Sequence, residues 1–318
     1  MLKTEMNVTC KLNKRTSYKQ KIIKDFKINK YAYIMAIPVL LYYIIFHYGP
    51  MYGIIIAFKD IRPALGIWRS PWVGFQYFID FLGSYYFWRL LKNTLIINLY
   101  LLIFGFPAPI IFALLLNELN NKVFKRVVQT VTYLPYFISA VVICGIIADF
   151  TDRSGVINDI IAIFGKERSN LLMRPELFRT IFVSSDIWTN IGWGTIVYLA
   201  SLSNIDPNLY EAITIDGGGR WAKTIHITIP GIIPTIIILL ILRIGHSMSL
   251  GWEKIILLYN PLTYETADVI SSFVYRKGIL EANYGYSAAV GLFNSTINFI
   301  LLITANKISR KINETSLW

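Results

Sequence analysis

An all-α membrane protein is the fold class this sequence predicts, and three observations carry it. Of the 318 residues, 55% are hydrophobic and only 16% charged, with a mean hydropathy of +0.50; soluble chains carry closer to about 25% charged residues. Six apolar segments recur along the chain, each near the ~20 residues that cross a bilayer as helix. The net charge of +12 sits largely in the leading tail and in short loops beside those segments, as in chains that orient by basic loops. A basic balance can also mean nucleic acid, but that requires a soluble basic face, so no nucleic-acid partner is expected.

Residues 1–30 carry nine Lys and Arg, from Lys3 to Lys30, against Glu5 and Asp25. The basic region is too long for a cleavable secretory signal, and no small-residue cleavage site follows a short apolar core. It reads as a cytoplasmic tail that sets topology and meets anionic headgroups. The six spans fall at 33–58, 94–116, 131–150, 181–202, 229–250 and 287–303. The first contains Pro38 and a Gly49-Pro50 break, the second contains Pro107 and Pro109, and Pro135 lies near the start of the third. Membrane helices tolerate proline where neighbours or water re-satisfy freed carbonyls, and these prolines are expected to mark bends around a cavity.

With the N-terminus inside, the cytoplasmic segments 1–30, 117–129, 205–228 and 304–318 hold 17 basic residues, against 13 in the outer segments. Both termini are then cytoplasmic. The organisation is a tail over 1–30, a transmembrane body over 31–306 and a C-terminal cytoplasmic tail over 307–318. The first outer segment is crowded with aromatics, from Trp68 and Trp72 to Phe87 and Trp88, and Phe75, Phe78, Leu82 and Tyr85 recur at helical spacing. This predicts an amphipathic helix at the outer interface after the first span, where ring systems favour the headgroup level. Sugar stacking is the sharper alternative for those rings, and interface anchoring explains them without a ligand.

The polar stretch 205–228, between the fourth and fifth spans, has internal structure. Asp206 can cap free N–H groups and Pro207 suits a first helical position, so Leu209 to Ile215 gives about two helical turns. Asp216-Gly217-Gly218-Gly219 then stops the helix, because glycine takes the left-handed conformation a stop needs. Arg220 to Ile227 can form a second short helix, and Pro230 opens the next apolar run.

This stretch resembles the signature loop of permease subunits of binding-protein-dependent ABC importers, EAA-x3-G-x9-I-x-LP. Glu211-Ala212, Gly217, Ile227 and Pro230 stand at its spacing. Ile213 replaces the third small residue and Ile229 the leucine, both keeping apolar character. The resemblance implies a cytoplasmic coupling helix that docks into a cleft on an ATPase subunit, with Tyr210, Glu211, Ala212, Asp216, Gly217, Gly218, Ile227 and Pro230 as its coupling residues. The segments WVGFQYF, FWRLLKNTL, GFPAPIIFALLLNEL, YLPYFIS, LLYNPLTY, ADVISSFVYRKG, the AVGLFNS run and the terminal SLW are similar to the lipoprotein-dependent branch of these permeases. That branch serves complex oligosaccharides, uronic-acid-containing ones included, as in the alginate and aldouronate systems. It implies two ATPase subunits or a homodimer, a second homologous permease, an extracytoplasmic solute-binding protein, and residence in the bilayer of a bacterial cell membrane. A permease for a polyol or phosphosugar is the alternative within the class, and a membrane enzyme the rival outside it.

The chain shows no ATPase site of its own. In Gly217-Gly218-Gly219-Arg220-Trp221-Ala222-Lys223-Thr224, Ala222 stands where a P-loop needs glycine before Lys-Thr. ATP and Mg are therefore expected on the partner ATPase, with no cofactor in this chain. For an enzyme, no HExxH or GxSxG occurs, and His47, His226 and His246 have no metal-ligand spacing. Asp149 and Asp152 read as a polar helix end. Cys10 and Cys144 suggest neither a disulfide framework nor a metal site.

A pathway for sugar should be lined by polar and aromatic residues of the later spans. Arg243 lies well inside the fifth span, where a cation costs roughly 2.5–3.5 kcal/mol unless it faces water, a partner or ligand, and it could meet a sugar carboxylate. His246 lies one turn further on. The fourth span offers Asp186, Trp188, Asn190 and Trp193. The sixth offers Asn294 and Asn298, at i and i+4 on one helical face, for which interhelix hydrogen bonding is at least as good a role. Glu253 and Lys254, beyond the fifth span, are candidates for binding-protein contact.

Overall fold

The computed structural model describes residues 25–313 together with Ser316 and Leu317. Most of the basic tail, including Cys10, and part of the C-terminal tail lie outside the described residues. Two compact units divide the chain, one ending at Ile55 and the other starting at Ile56. Secondary structure is helical throughout, and the one extended pairing among the described residues is an isolated bridge between Lys59 and Trp72.

The first helix, α1, covers Lys30–Phe58. The second unit continues with α2 (Gln76–Leu82), α3 (Phe87–Asn117), α4 (Lys122–Tyr133), α5 (Ala140–Thr151), α6 (Val156–Ile163) and α7 (Pro175–Ser203). It ends with α8 (Pro207–Ile215), α9 (Arg220–Gly245), α10 (Trp252–Leu258), α11 (Ile270–Tyr275) and α12 (Tyr284–Asn313). Among the described residues α1, α3, α9 and α12 are long and apolar enough to cross a membrane. Where the third span was expected, α4 with its following turn, and α5 with α6, meet at an angle of 105° just after Pro135. The 29-residue α7 is long enough to cross, but its serines, threonines, Asn190 and Asp186 make it less apolar than those four.

The expected Gly49-Pro50 break does not occur, and two further prolines are carried within long helices for the same reason. Gly49-Pro50 does not interrupt α1, Pro107 does not interrupt α3, and Pro230 does not begin a new helix. Each proline follows one π-helical turn, over Ile44–Tyr48, Leu101–Gly105 and Thr224–Thr228 respectively. A proline in a helix removes one N–H donor and pushes its ring against the carbonyl four residues back. That carbonyl belongs to Phe46, Ile103 and His226, each in the middle of the π turn, where the wider ladder relieves the clash.

Of the expected interface face, Phe75, Leu82 and Tyr85 are exposed, and a different residue of the segment packs on the protein. α2 is only seven residues long and ends before Tyr85, which is 87% exposed. Its packing residue is Phe81, 1% exposed, edge-on to Phe87 at 5.3 Å and to Phe293 of α12 at 5.5 Å. Phe75 and Phe78 lie against Phe58 instead.

A buried ion network ties α3 and α7 to the segment before α11. Asp268, fully buried, takes a bidentate pair from Arg276 at 2.7 and 3.2 Å and a further contact from Arg89 at 3.4 Å. The Ser272 hydroxyl donates to the same carboxylate at 2.8 Å. Asn93 Nδ2 donates to the Asp268 and Glu265 carbonyls, both at 2.9 Å, and its Oδ1 accepts from Arg179 at 2.8 Å. FWRLLKNTL and ADVISSFVYRKG, far apart in sequence, are thus the two halves of one network.

α4 crosses α7 at Gly192. A β-carbon there would overlap the Thr132 carbonyl and the Tyr133 ring. Gly192→Ala is therefore expected to destabilise the protein by about 1–3 kcal/mol, the usual range for overpacking, read as a lower apparent Tm in detergent against an unchanged Gly291→Ala control, whose site is open.

Candidate functional site

The loop between α7 and α9 is built by local rules. The Asp206 carboxylate accepts from the Asn208 N–H at 2.9 Å, and Pro207 occupies the first turn of α8. The helix stops at Gly217, whose φ of +80° favours glycine. The Gly218 N–H donates back to the Ile213 carbonyl at 2.8 Å, and a β-carbon on Gly218 would stand 2.7 Å from the Ile213 side chain. The expected second short helix does not stand alone: from Arg220 it runs without a stop into α9, because the π turn absorbs Pro230.

Two contacts fasten the loop to the base of α9. The Tyr210 and Thr228 hydroxyls pair at 3.1 Å, and Ile205 fills the space beside Gly231. Glu211, Ala212, Asp216 and Gly217 are exposed, as is Pro230, while Gly218 and Ile227 are half-buried. Ile215 and Trp221 are 86% and 80% exposed. The tip therefore offers an apolar surface flanked by carboxylates, held at a fixed angle to α9. An apolar hollow of ≈ 450 Å³, lined by Leu114, Leu115 and Trp221 among others, lies beside it.

A second cavity, of ≈ 520 Å³, lies between α3, α7 and α9. Five of the eight expected pathway residues meet there: Asp186, Asn190, Trp193, Arg243 and His246. Asn190 Nδ2 donates to Asp186 Oδ1 at 3.1 Å, one turn apart on α7. Trp193 is stacked on Tyr136, with centroids 4.5 Å apart and planes within 4°. The Arg243 guanidinium has no ion pair or hydrogen bond among the described residues. It also lies closer to a helix end than its position in the apolar run predicts. α9 stops at Gly245, five residues before the expected end of the span, so Arg243 occupies the last turn, where a cation is favoured by the helix dipole.

The other three expected residues lie elsewhere. Trp188 opens on a separate groove beside Phe150 and Ile157. Asn294 and Asn298 are buried and serve the fold. Asn298 accepts from the Met248 N–H at 2.8 Å and donates to Ser249 Oγ at 2.7 Å, while Asn294 donates to the Met248 carbonyl at 3.1 Å. Because α9 ends early, the backbone at Met248 has no helical partner, and the two amides on α12 supply one.

Lys254 also departs from expectation. Its ammonium points inward, 3.5 Å from the Phe182 carbonyl and 5.0 Å from that ring's centre. Burial is the main influence and lowers its pKa, with Asp186 opposing. Glu253 is exposed. The contribution sequence reasoning missed is Tyr136, the brace behind Trp193. Its only signal was the aromatic pair that follows Pro135.

Residues 105–314 match the family model described as binding-protein-dependent transport system inner membrane component. The chain belongs to this family. Protein LplB of Bacillus subtilis (strain 168) is 46% identical over 92% of this chain and 92% of its own length. The polygalacturonan/rhamnogalacturonan transport system permease protein YteP of the same organism is 41% identical, over 96% and 95%. A solved bacterial alginate ABC transporter, in complex with an alginate pentasaccharide-bound periplasmic protein, superposes with a TM-score of 0.86 at 42% identity. That match covers 93% of this chain and 100% of the solved one. This member of the family is thus a helical membrane permease whose relatives serve oligosaccharide importers.

Proposed function

We propose that this permease forms, with a second homologous permease, the translocation pathway of an ATP-driven importer for an oligosaccharide. An extracytoplasmic binding protein delivers the sugar, and two ATPase subunits supply ATP and Mg chemistry that this chain does not perform. In this reading the chain crosses a bacterial cell membrane six times, α7 and the broken α4–α6 segment included, with both termini and α8 on the cytoplasmic side.

One observation carries the reading. The loop with the signature spacing is the direct connection between α7 and α9, and those two helices bear the charged and aromatic residues of the larger cavity. An ATPase that moves α8 moves both cavity walls, which is what alternating access requires of a coupling element. Polar side chains that converge in a largely apolar cavity of this size suit a small-molecule site, typically about 300–1,000 Å³. The names of the relatives support sugar oligomers as cargo, acidic ones in particular.

The test is purification of tagged chain from its native membrane in mild detergent. Recovery of an ATPase and of a second permease is expected, with a solute-binding protein captured when the lipid is retained. The chain recovered alone, with uptake in the intact cell indifferent to its deletion, would count against the importer reading.

A further inference from the structure

The cavity between α3, α7 and α9 is lined by two side chains with a face left open to a ligand. Arg243 lines it with no ionic or hydrogen-bonding partner among the described residues, although the opposite wall carries Asp186, which is engaged with Asn190. Trp193 lines it too, 44% exposed, one ring face covered by Tyr136 in a parallel stack and its edge met by Phe137 at 5.8 Å. An unpaired cation and an indole stacked on a second ring thus offer one cavity a planar anion partner and a flat apolar surface.

We propose that these residues form one subsite for a uronate unit within the pathway. The Trp193 indole takes the C–H face of the pyranose ring. Arg243 takes its carboxylate with two parallel N–H donors. Ring hydroxyls donate to Asp186 and to the Asn190 carbonyl oxygen, whose Nδ2 is already used. Tyr136 is a positioning residue: it holds the indole plane and touches no sugar. The inference rests on the importer reading above and adds which sugar chemistry this chain itself selects, apart from any choice made by the binding protein.

Arg243 and the carboxylate form a charge-assisted pair. Losing it is expected to lower uptake of an acidic oligomer by about 10- to 100-fold and to leave a neutral one nearly unchanged.

The experiment uses the complete importer in proteoliposomes, with galacturonate trimer and its carboxyl-reduced neutral counterpart as probes, each at saturating binding protein. Arg243→Gln should lose acidic uptake selectively, and Arg243→Lys should restore part of it. Trp193→Ala should depress both probes and Trp193→Phe should recover them. Tyr136→Leu should raise the apparent KM for both probes with kcat held. Co-purification of the ATPase with every variant reports that the fold and assembly are intact. Equal loss of both probes in Arg243→Gln, or no loss of either, would overturn the subsite while leaving import standing. So would a wild type that moves only the neutral trimer. A wild-type importer that moves neither probe, nor any sugar its binding protein holds, would bring down the importer reading and the subsite with it.

Discussion

Gly217→Pro is expected to bring ATP-dependent uptake to background while the chain still reaches the membrane. The native φ of +80° is closed to proline, whose ring fixes φ near −65°. The substitution also removes the N–H that donates to the Thr214 carbonyl at 3.1 Å. Both effects unwind the end of α8, and they act at an exposed tip that no core residue needs. Gly217→Ala keeps the N–H and faces open space, so it meets only the left-handed backbone strain of about 1–2 kcal/mol and should retain partial uptake. Glu211→Arg separates docking from folding, since Glu211 is exposed and unpaired among the described residues. Its charge reversal should release the ATPase from the purified complex without lowering the apparent Tm. Uptake and ATPase recovery that survive both Gly217→Pro and Glu211→Arg would refute the docking role of the loop.

Asp268→Ala should be the most destabilising single substitution in the second unit, by about 3–5 kcal/mol, the usual result of removing one partner of a buried ion pair. The carboxylate is fully buried, and its loss leaves Arg276 without its bidentate acceptor and Arg89 without its ionic contact. Arg89 Nε is already buried without a hydrogen-bond partner, so nothing nearby compensates. The pair Asp268→Ala with Arg276→Leu should lose clearly less than the sum of the two single changes, because neither charge is then stranded. Apparent Tm in detergent measures both, and a fall equivalent to under about 1 kcal/mol for Asp268→Ala would mean that the network is solvated.

Much of the 205–228 loop was legible, because caps and left-handed glycines act within a few residues. Asp206, Pro207 and Gly217 each do in the structure what their chemistry predicts. The continuity of Arg220–Gly245 was not legible, since the residues that soften Pro230 lie in a π turn with no side-chain signature. The cavity was legible in part. Polar residues in apolar runs stand out, but only packing tells which of them share a space. Asn294 and Asn298 have the spacing of a lining pair and spend their amides on Met248 and Ser249, a need created by where α9 stops. The ion network was invisible for a similar reason. Nothing local to Asp268 shows that Arg89, nearly 180 residues earlier in the chain, comes to its side.

The unbroken helix from Arg220 to Gly245 has a mechanical consequence. At about 1.5 Å per residue its 26 residues make a rod of roughly 39 Å, with the loop tip fastened to one end and Arg243 in the last turn of the other. A rod transmits push and tilt where a flexible strap would lose them. Its two points of compliance are the π turn at Thr224–Thr228, close to the tip, and Pro234, just past the middle. The segment beyond Pro234, which carries Arg243, is uninterrupted α-helix as far as Gly245 and would tilt as one piece.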